Sequence, residues 1–321
     1  MTKILVTAVG SELAFSIIKA IKRFTIPYEL IGCDIFEEVV GKYWCQRFFQ
    51  VPLAKKETEY ISAIKKLVRD ENIQILIPTA DSELEILSSY KDEFKELYNC
   101  IILINDNEEI QLFNDKWLAH QLYIENEIPA PKSFLANDIA FLEKNLGNFS
   151  YPLIIKPRVG GGSRSIFKIN SWEDILKYRD VVSNPIIQEY LFPEDEEYTA
   201  GTYRTKLNEV FVILFNRKLK FGMTNVAEVV INEELEKFAK NVILKTNLIG
   251  SNNIQFRVTH EGPKVLEINP RFSGTTGIRA TFGFNDVEMW VKESFLNFNV
   301  SKPNIKKGRV MRFMEEQYHI N

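Results

Sequence analysis

The chain has 321 residues, 45% of them hydrophobic and 26% charged, and its 40 Lys plus Arg against 43 Asp plus Glu leave a net charge near −3. That is enough core material for two or three packed domains, and it sets up no strong basic field, which argues against nucleic acid as the main partner. No apolar run approaches the roughly 18 residues that a membrane helix needs, and the apolar stretch in MTKILVTAVG is too short for a signal peptide.

Three cysteines without metal-like spacing, Cys33, Cys45 and Cys100, fit a reduced, cytoplasmic protein. Histidines are scarce (His120, His260 and His319), so a His-rich metal site or His-based triad is poorly supported. Chemistry is left to Lys, Arg, carboxylates and backbone.

In chain order, KILVTA reads as a buried strand. Ser11 then caps a helix whose apolar positions Ala14, Ile17, Ile18 and Ile21 keep helical spacing. ELIGCD is a second strand, TEYISAIKKLVRD a helix with Ile61, Ile64, Leu67 and Val68 on one stripe, and IQILIP and IILI are further strands flanking a helix from Glu83 to Leu97. Strands alternating with amphipathic helices mean βαβ units, so residues 1–108 are expected to form a doubly wound, Rossmann-like parallel-sheet domain. TAVGSELAF invites a dinucleotide reading, with Asp34 about 24 residues after Gly10 as a ribose acid. But the fingerprint needs three glycines and this loop has one, so a helix N-terminus that caps itself or receives an anionic substrate fits better.

From residue 109 the texture changes. EEIQLFNDKWLAHQLYIENE reads as one helical stretch and IPAP as a turn. YPLIIKP, SIFKI, NPIIQEYL, EYTAGTYR, EVFVILF, NIQFRV and KVLEIN follow as strands, interrupted by one clear helix, ELEKFAKNVILK. This half is expected to be α+β with largely antiparallel sheets.

Three stretches carry chemistry. In IIKPRVGGGSRS a strand delivers Lys156, and Gly160, Gly161 and Gly162 let backbone N–H groups approach a phosphate, with Ser163 and Arg164 as further donors. The spacing is not that of a P-loop, and a plain glycine-rich turn is the alternative. In IIQEYLFPEDEEY, an acidic solvated loop is the ordinary meaning, against a hinge whose backbone at Glu189 and Leu191 reads an adenine edge while Glu197 takes ribose hydroxyls. In VLEINPRFSGTTG, Glu267, Asn269 and Arg271 alternate along one face while Leu266 and Ile268 point the other way. The bland reading is a strand with one solvated face. HEGP makes this strand a hairpin with NIQFRV, and an odd-length loop puts Gln255 opposite Glu267, an even one shifting it by one. Gln255, Glu267 and Asn269 then offer oxygen ligands suited to Mg²⁺, and Arg271 can neutralise charge developing on a transferring phosphoryl group.

The order Lys116 in FNDKWLAHQL, Lys156 before GGGSRS, the hinge QEYL, Glu197, Gln255 in NIQ, then EINPR resembles the ATP-grasp superfamily over essentially the whole chain. The nearest branch holds carbamoyl phosphate synthase large-subunit domains, biotin carboxylase and the pyrrolysine-pathway lysine ligase. The resemblance implies a lid subdomain at about 130–190 and a metal-binding subdomain at 191–321, with ATP between them. It implies that Lys116 and Lys156 contact the phosphates under the glycine loop, that Glu189, Tyr190 and Leu191 form the adenine hinge, and that Glu197 binds ribose. Gln255, Glu267 and Asn269 would hold Mg²⁺, with Mn²⁺ able to take its place, and Arg271 and Lys156 would serve catalysis.

FSGTTGIRATFG departs from the carbamoyl phosphate synthase version, which disfavours bicarbonate. The expectation is a stand-alone, ADP-forming ligase that joins a small carboxylate to an amine through an acyl phosphate. Its acceptor pocket would use residues 272–279, Glu12 and Asp81, and a homodimer agrees with the resemblance. A small-molecule kinase or a non-catalytic ATP-binding module are the rival readings, and an NAD-dependent oxidoreductase ranks last.

Overall fold

The computed structural model describes residues 1–136, 139–145, 150–160, 165–220, 222–314 and 316–318. The chain opens with β1 (Thr2–Val6), α1 (Glu12–Ile21), β2 (Tyr28–Asp34), β3 (Arg47–Gln50), α2 (Glu57–Glu71), β4 (Ile75–Ile77), α3 (Asp81–Ser89), α4 (Lys91–Tyr98) and β5 (Ile101–Ile102). The strands form one parallel sheet in the order β3-β2-β1-β4-β5. α1 starts where expected, because the Ser11 side chain accepts from the Ala14 N–H, leaving Ile17, Ile18 and Ile21 buried. The expected helix from Glu83 to Leu97 is two, α3 and α4, which meet at Tyr90. Strand order reverses between β1 and β4, and the loops leaving these two strands open a crevice of the kind in which doubly wound sheets bind ligands. Asp34 does not face that crevice as a ribose acid would. Its carboxylate accepts from the N–H groups of Gly10 (2.8 Å) and Phe36 (3.0 Å) and so ties the first loop down.

Two helices follow, α5 (Asn107–Asn114) and α6 (Lys116–Glu125), where the sequence pattern suggests one. The break falls at Asp115, which is extended (φ −95°, ψ 105°) and caps α6. Next come β6 (Ser133–Leu135), α7 (Ile139–Asn145), β7 (Leu153–Pro157), β8 (Phe167–Ile169), α8 (Trp172–Arg179) and β9 (Pro185–Glu189), whose strands form an antiparallel sheet ordered β6-β9-β7-β8. The last part holds β10 (Glu197–Arg204), β11 (Val210–Lys220), β12 (Met223–Val230), α9 (Glu233–Leu244), β13 (Gly250–Thr259), β14 (Gly262–Asn269), α10 (Thr276–Thr281), α11 (Asp286–Ser294) and β15 (Arg309–Met311). Its antiparallel sheet runs β14-β13-β10-β11-β12-β15. Besides α9, the helices α7, α8, α10 and α11 interrupt these strands, where the sequence shows only α9 clearly.

The six-stranded sheet is covered on both faces, in keeping with the near-continuous buried runs of β10 and β11. On one face Leu235, Ala239, Val242 and Ile243 of α9 meet Ile254, Phe256 and Ile268. On the other, Ile213, Phe215 and Tyr203 share a core with Ile17, Ile18 and Ile21 of α1 and with Trp290 of α11. That shared core fixes the crevice of the first sheet against the ends of β13 and β14.

Candidate active site

A cleft of about 860 Å³ lies between the four-stranded and six-stranded sheets, lined among others by Lys116, Lys156, Gly160, Glu189, Tyr190, Leu191, Glu197, Gln255 and Glu267. Asn269 and Arg271 line an adjoining cavity of about 490 Å³, and Gln255 and Glu267 line both spaces. Every expected site residue within the described part of the chain therefore borders one of two connected cavities. Gly161, Gly162 and Ser163 lie outside the described residues. Gly160, at φ +102°, takes the left-handed region that glycine adopts without strain.

The two lysines are brought together by the break between α5 and α6. The Asp115 carboxylate accepts from the N–H groups of Trp117 (2.9 Å) and Leu118 (3.2 Å), which caps α6. It also accepts from Arg158 Nε, 2.7 Å from each oxygen, and the Lys116 N–H donates to the Arg158 carbonyl at 2.9 Å. Lys116, first residue of α6, is thus tied to the exit of β7, the strand that carries Lys156. Lys116 donates to the Gly160 carbonyl and Lys156 to Gln188 Oε1 at 2.8 Å. Withdrawal from water lowers Lys156 to about 8, with Lys116 adding to the drop and Glu267 opposing it. Lys116 is lowered by burial too, again opposed by Glu267. Replacing Asp115 by alanine is expected to cost about 1 kcal/mol of stability through the lost cap. It should also raise the ATP KM about tenfold by freeing Lys116. Asp115→Asn keeps the capping oxygen, so comparing the two variants by thermal melting and kinetics separates these effects.

At the hinge, the Leu191 carbonyl accepts from Arg257 Nη1 at 2.8 Å and the Glu189 N–H donates to the Lys132 carbonyl at 2.9 Å. Glu197 is held between two guanidiniums, with Arg217 Nη2 2.8 Å from one oxygen and Arg257 Nη2 2.8 Å from the other. Sequence reasoning missed both arginines. Arg257 was legible, since it lies two residues from Gln255 on the same strand face. Arg217 had no distinguishing signal in FNRKLK.

Gln255 stands directly opposite Glu267. The turn between β13 and β14 is even, with Thr259 paired to Gly262, and a bulge restores the register by leaving Leu266 as one extra residue. Leu266 therefore lines the large cleft beside Glu267 instead of facing away, which corrects strict alternation, while Ile268 does turn into the core. Gln255 Oε1 accepts from Arg217 Nη2 at 2.7 Å. An amide oxygen has a second lone pair, so the Gln255, Glu267 and Asn269 set still suits a hard divalent cation. Arg271 pairs with Asp81 at 2.8 Å and donates to the Phe272 carbonyl at 3.0 Å, which links the metal-type strand to the crevice of the first sheet.

The ATP-grasp domain family matches residues 113–275. The chain belongs to the ATP-grasp family. Its residues 4–103 match the PylC-like N-terminal domain. This ATP-grasp chain is 21% identical over 279 residues to the carbamoyl phosphate synthase large chain of Saccharolobus solfataricus, covering 81% of itself and 26% of that protein. It thus spans about a quarter of that relative's length. Among solved structures it resembles the N5-carboxyaminoimidazole synthetase from Staphylococcus aureus complexed with ADP, at 15% identity and TM-score 0.76, covering 98% of this chain and 82% of that one. The biotin carboxylase–βγ-ATP complex from Campylobacter jejuni aligns at 14% identity and TM-score 0.76, over 96% and 74% of the two chains. At these identities the likeness establishes the fold.

Proposed function

We propose that this protein is an ADP-forming ligase that activates a small-molecule carboxylate with ATP and passes it to an amine. The observation that carries this reading is the meeting of two cavities at Glu267, Gln255 and Arg217, one lined by two lysines and a hinge, the other by Arg271 and the crevice of the first sheet. The nucleotide-bound relatives support ATP in the larger cleft. No helix among the described residues is long and apolar enough to cross a membrane. The cysteines Cys33, Cys45 and Cys100 are free, and we place the enzyme in the cytoplasm.

In this reading the Glu189 carbonyl and Leu191 N–H take the adenine edge beside Tyr190, since the Leu191 carbonyl is already engaged by Arg257. Glu197 faces ribose with the lone pair its two arginines leave. Lys116 and Lys156 bind the phosphates, under a loop that includes Gly161, Gly162 and Ser163. Glu267 and Asn269, with Gln255, would hold Mg²⁺, which when bound would supply neutralisation of phosphate charge. Arg271 and Lys156 orient the carboxylate for in-line attack and offset the charge that builds on the transferring phosphoryl group. Asp81 lines both cavities, and its pair with Arg271 holds that guanidinium in the smaller one. Glu12 and Asp81 line the acceptor side.

The test is carboxylate-dependent ADP release from Mg-ATP, measured across pooled small acids with and without pooled amines. Release that needs both pools supports ligation. Release with an acid-free acceptor pool alone would point to a kinase instead.

A further inference from the structure

Arg279 on α10 is fully buried and paired with Asp286 at 2.6 Å. Gly201 makes room for it, because a Cβ there would stand 2.5 Å from Arg279 Cδ. The guanidinium donates to Asn253 Oδ1 at 2.8 Å, to Ser273 Oγ, and through Nε to Thr275 Oγ1 at 3.2 Å. A hydroxyl has two lone pairs and one proton, so these bonds fix where each proton goes. Ser273 Oγ accepts from Arg279 and from the Thr275 N–H at 3.2 Å, which uses both its lone pairs. Its proton is then left for Thr275 Oγ1, 2.8 Å away. Thr275 Oγ1 in turn accepts from Ser273 and Arg279, and its own proton meets no acceptor among the described residues. Thr275 is only 4% exposed, yet it lines the smaller cavity together with Arg271 and Glu267. The loop therefore brings to the cavity wall a buried hydroxyl whose proton has no acceptor among the described residues and whose lone pairs are both in use.

We propose that Thr275 binds an oxygen of the substrate carboxylate, and that Arg279 is a positioning residue that fixes the direction of the Thr275 proton through Ser273 and Thr275 itself. A donor-only hydroxyl beside Arg271 suits an anionic oxygen and gives an ammonium group nothing to bind. The proposal rests on the ligase reading and gives this loop, expected from the sequence to serve the acceptor, to the carboxylate end of the substrate instead. It predicts that serine can replace threonine here and that valine cannot.

The experiment measures binding of pooled small carboxylic acids in the presence of Mg-ADP, by thermal shift and then titration of the pool that binds, for the wild type, Thr275→Val, Thr275→Ser and Arg279→Lys. Thr275→Val is near-isosteric and is expected to weaken the carboxylate about tenfold or more, the cost of losing one hydrogen bond to a charged group. Thr275→Ser should stay within about twofold of the wild type, and Mg-ADP affinity should be unchanged in both. Arg279→Lys, if it folds, should raise the carboxylate KM with the ATP KM unmoved; the Thr275 pair carries the test if it does not. Equal carboxylate binding by wild type and Thr275→Val would overturn the assignment while leaving the ligase reading intact. Failure of every pool to bind the wild type, with Mg-ADP binding normal, would overturn the ligase reading and this assignment with it.

Discussion

Glu267→Ala is expected to lower ADP release about a thousandfold, equivalent to ~4 kcal/mol of transition-state stabilisation. Glu267 lines both cavities and faces Gln255 across the hairpin. It is also the carboxylate that opposes the fall in pKa of Lys116 and Lys156. Its removal takes away the charged member of the cation set and leaves both lysines easier to deprotonate, so two parts of the phosphate site fail together. Asn269→Ala removes only an amide oxygen and should cost less, about a hundredfold on the scale of one lost charge-stabilising group. ADP release for both variants, with circular dichroism to show the fold intact, checks the ranking. Near-normal turnover in Glu267→Ala would remove the strand from the active site.

The second large effect concerns Lys156. Lys156→Met is expected to weaken ATP binding about a hundredfold, since it deletes a charge-assisted contact to phosphate. The wild type should show a matching pH dependence. Lys156 is lowered from its ordinary 10.5 to about 8, so it is charged below that pH and neutral above it. An anionic nucleotide binds the charged form, and ATP affinity should fall as pH rises through 8. Lys156→Arg keeps its charge and should flatten that profile. Stability runs the other way. Between pH 8 and 10.5 the unfolded chain holds the proton that the folded lysine has lost, so the cost of burying the charge is full below pH 8 and disappears across that window. The ligand-free Lys156→Met protein should therefore melt higher than the wild type at pH 7. A titration calorimetry series in pH and a melting comparison test both signs.

Much of this arrangement is written in local pattern. Short apolar runs between turn residues locate the strands, Ser11 announces α1, and the alternation of Glu267, Asn269 and Arg271 marks the end of β14. The family resemblance rests on the same residues, and the match over residues 113–275 agrees with it. What stays illegible depends on contacts distant in sequence. Asp115 interrupts an unbroken helical pattern where its carboxylate both caps α6 and takes Arg158, 43 residues on, as a partner. Leu266 leaves its expected face because a bulge compensates for an even turn, and a bulge has no composition of its own here. Arg217 looks like any strand cation until β10 and β13 bring Glu197 and Gln255 against it. Arg279 ends the 272–279 segment expected at the acceptor pocket, and nothing in its pattern announces that the room left by Gly201 lets it lie at 0% exposure beneath the loop.

Hydroxylamine trapping distinguishes activation of a carboxylate from phosphorylation of another acceptor. Protein, Mg-ATP and hydroxylamine are incubated with each carboxylate pool, with Glu267→Ala as the control. An acyl-phosphate ligase yields a hydroxamate from one pool, in step with ADP and absent from the control. ADP release from that pool without any hydroxamate would contradict carboxylate activation and leave a kinase acting at the same residues.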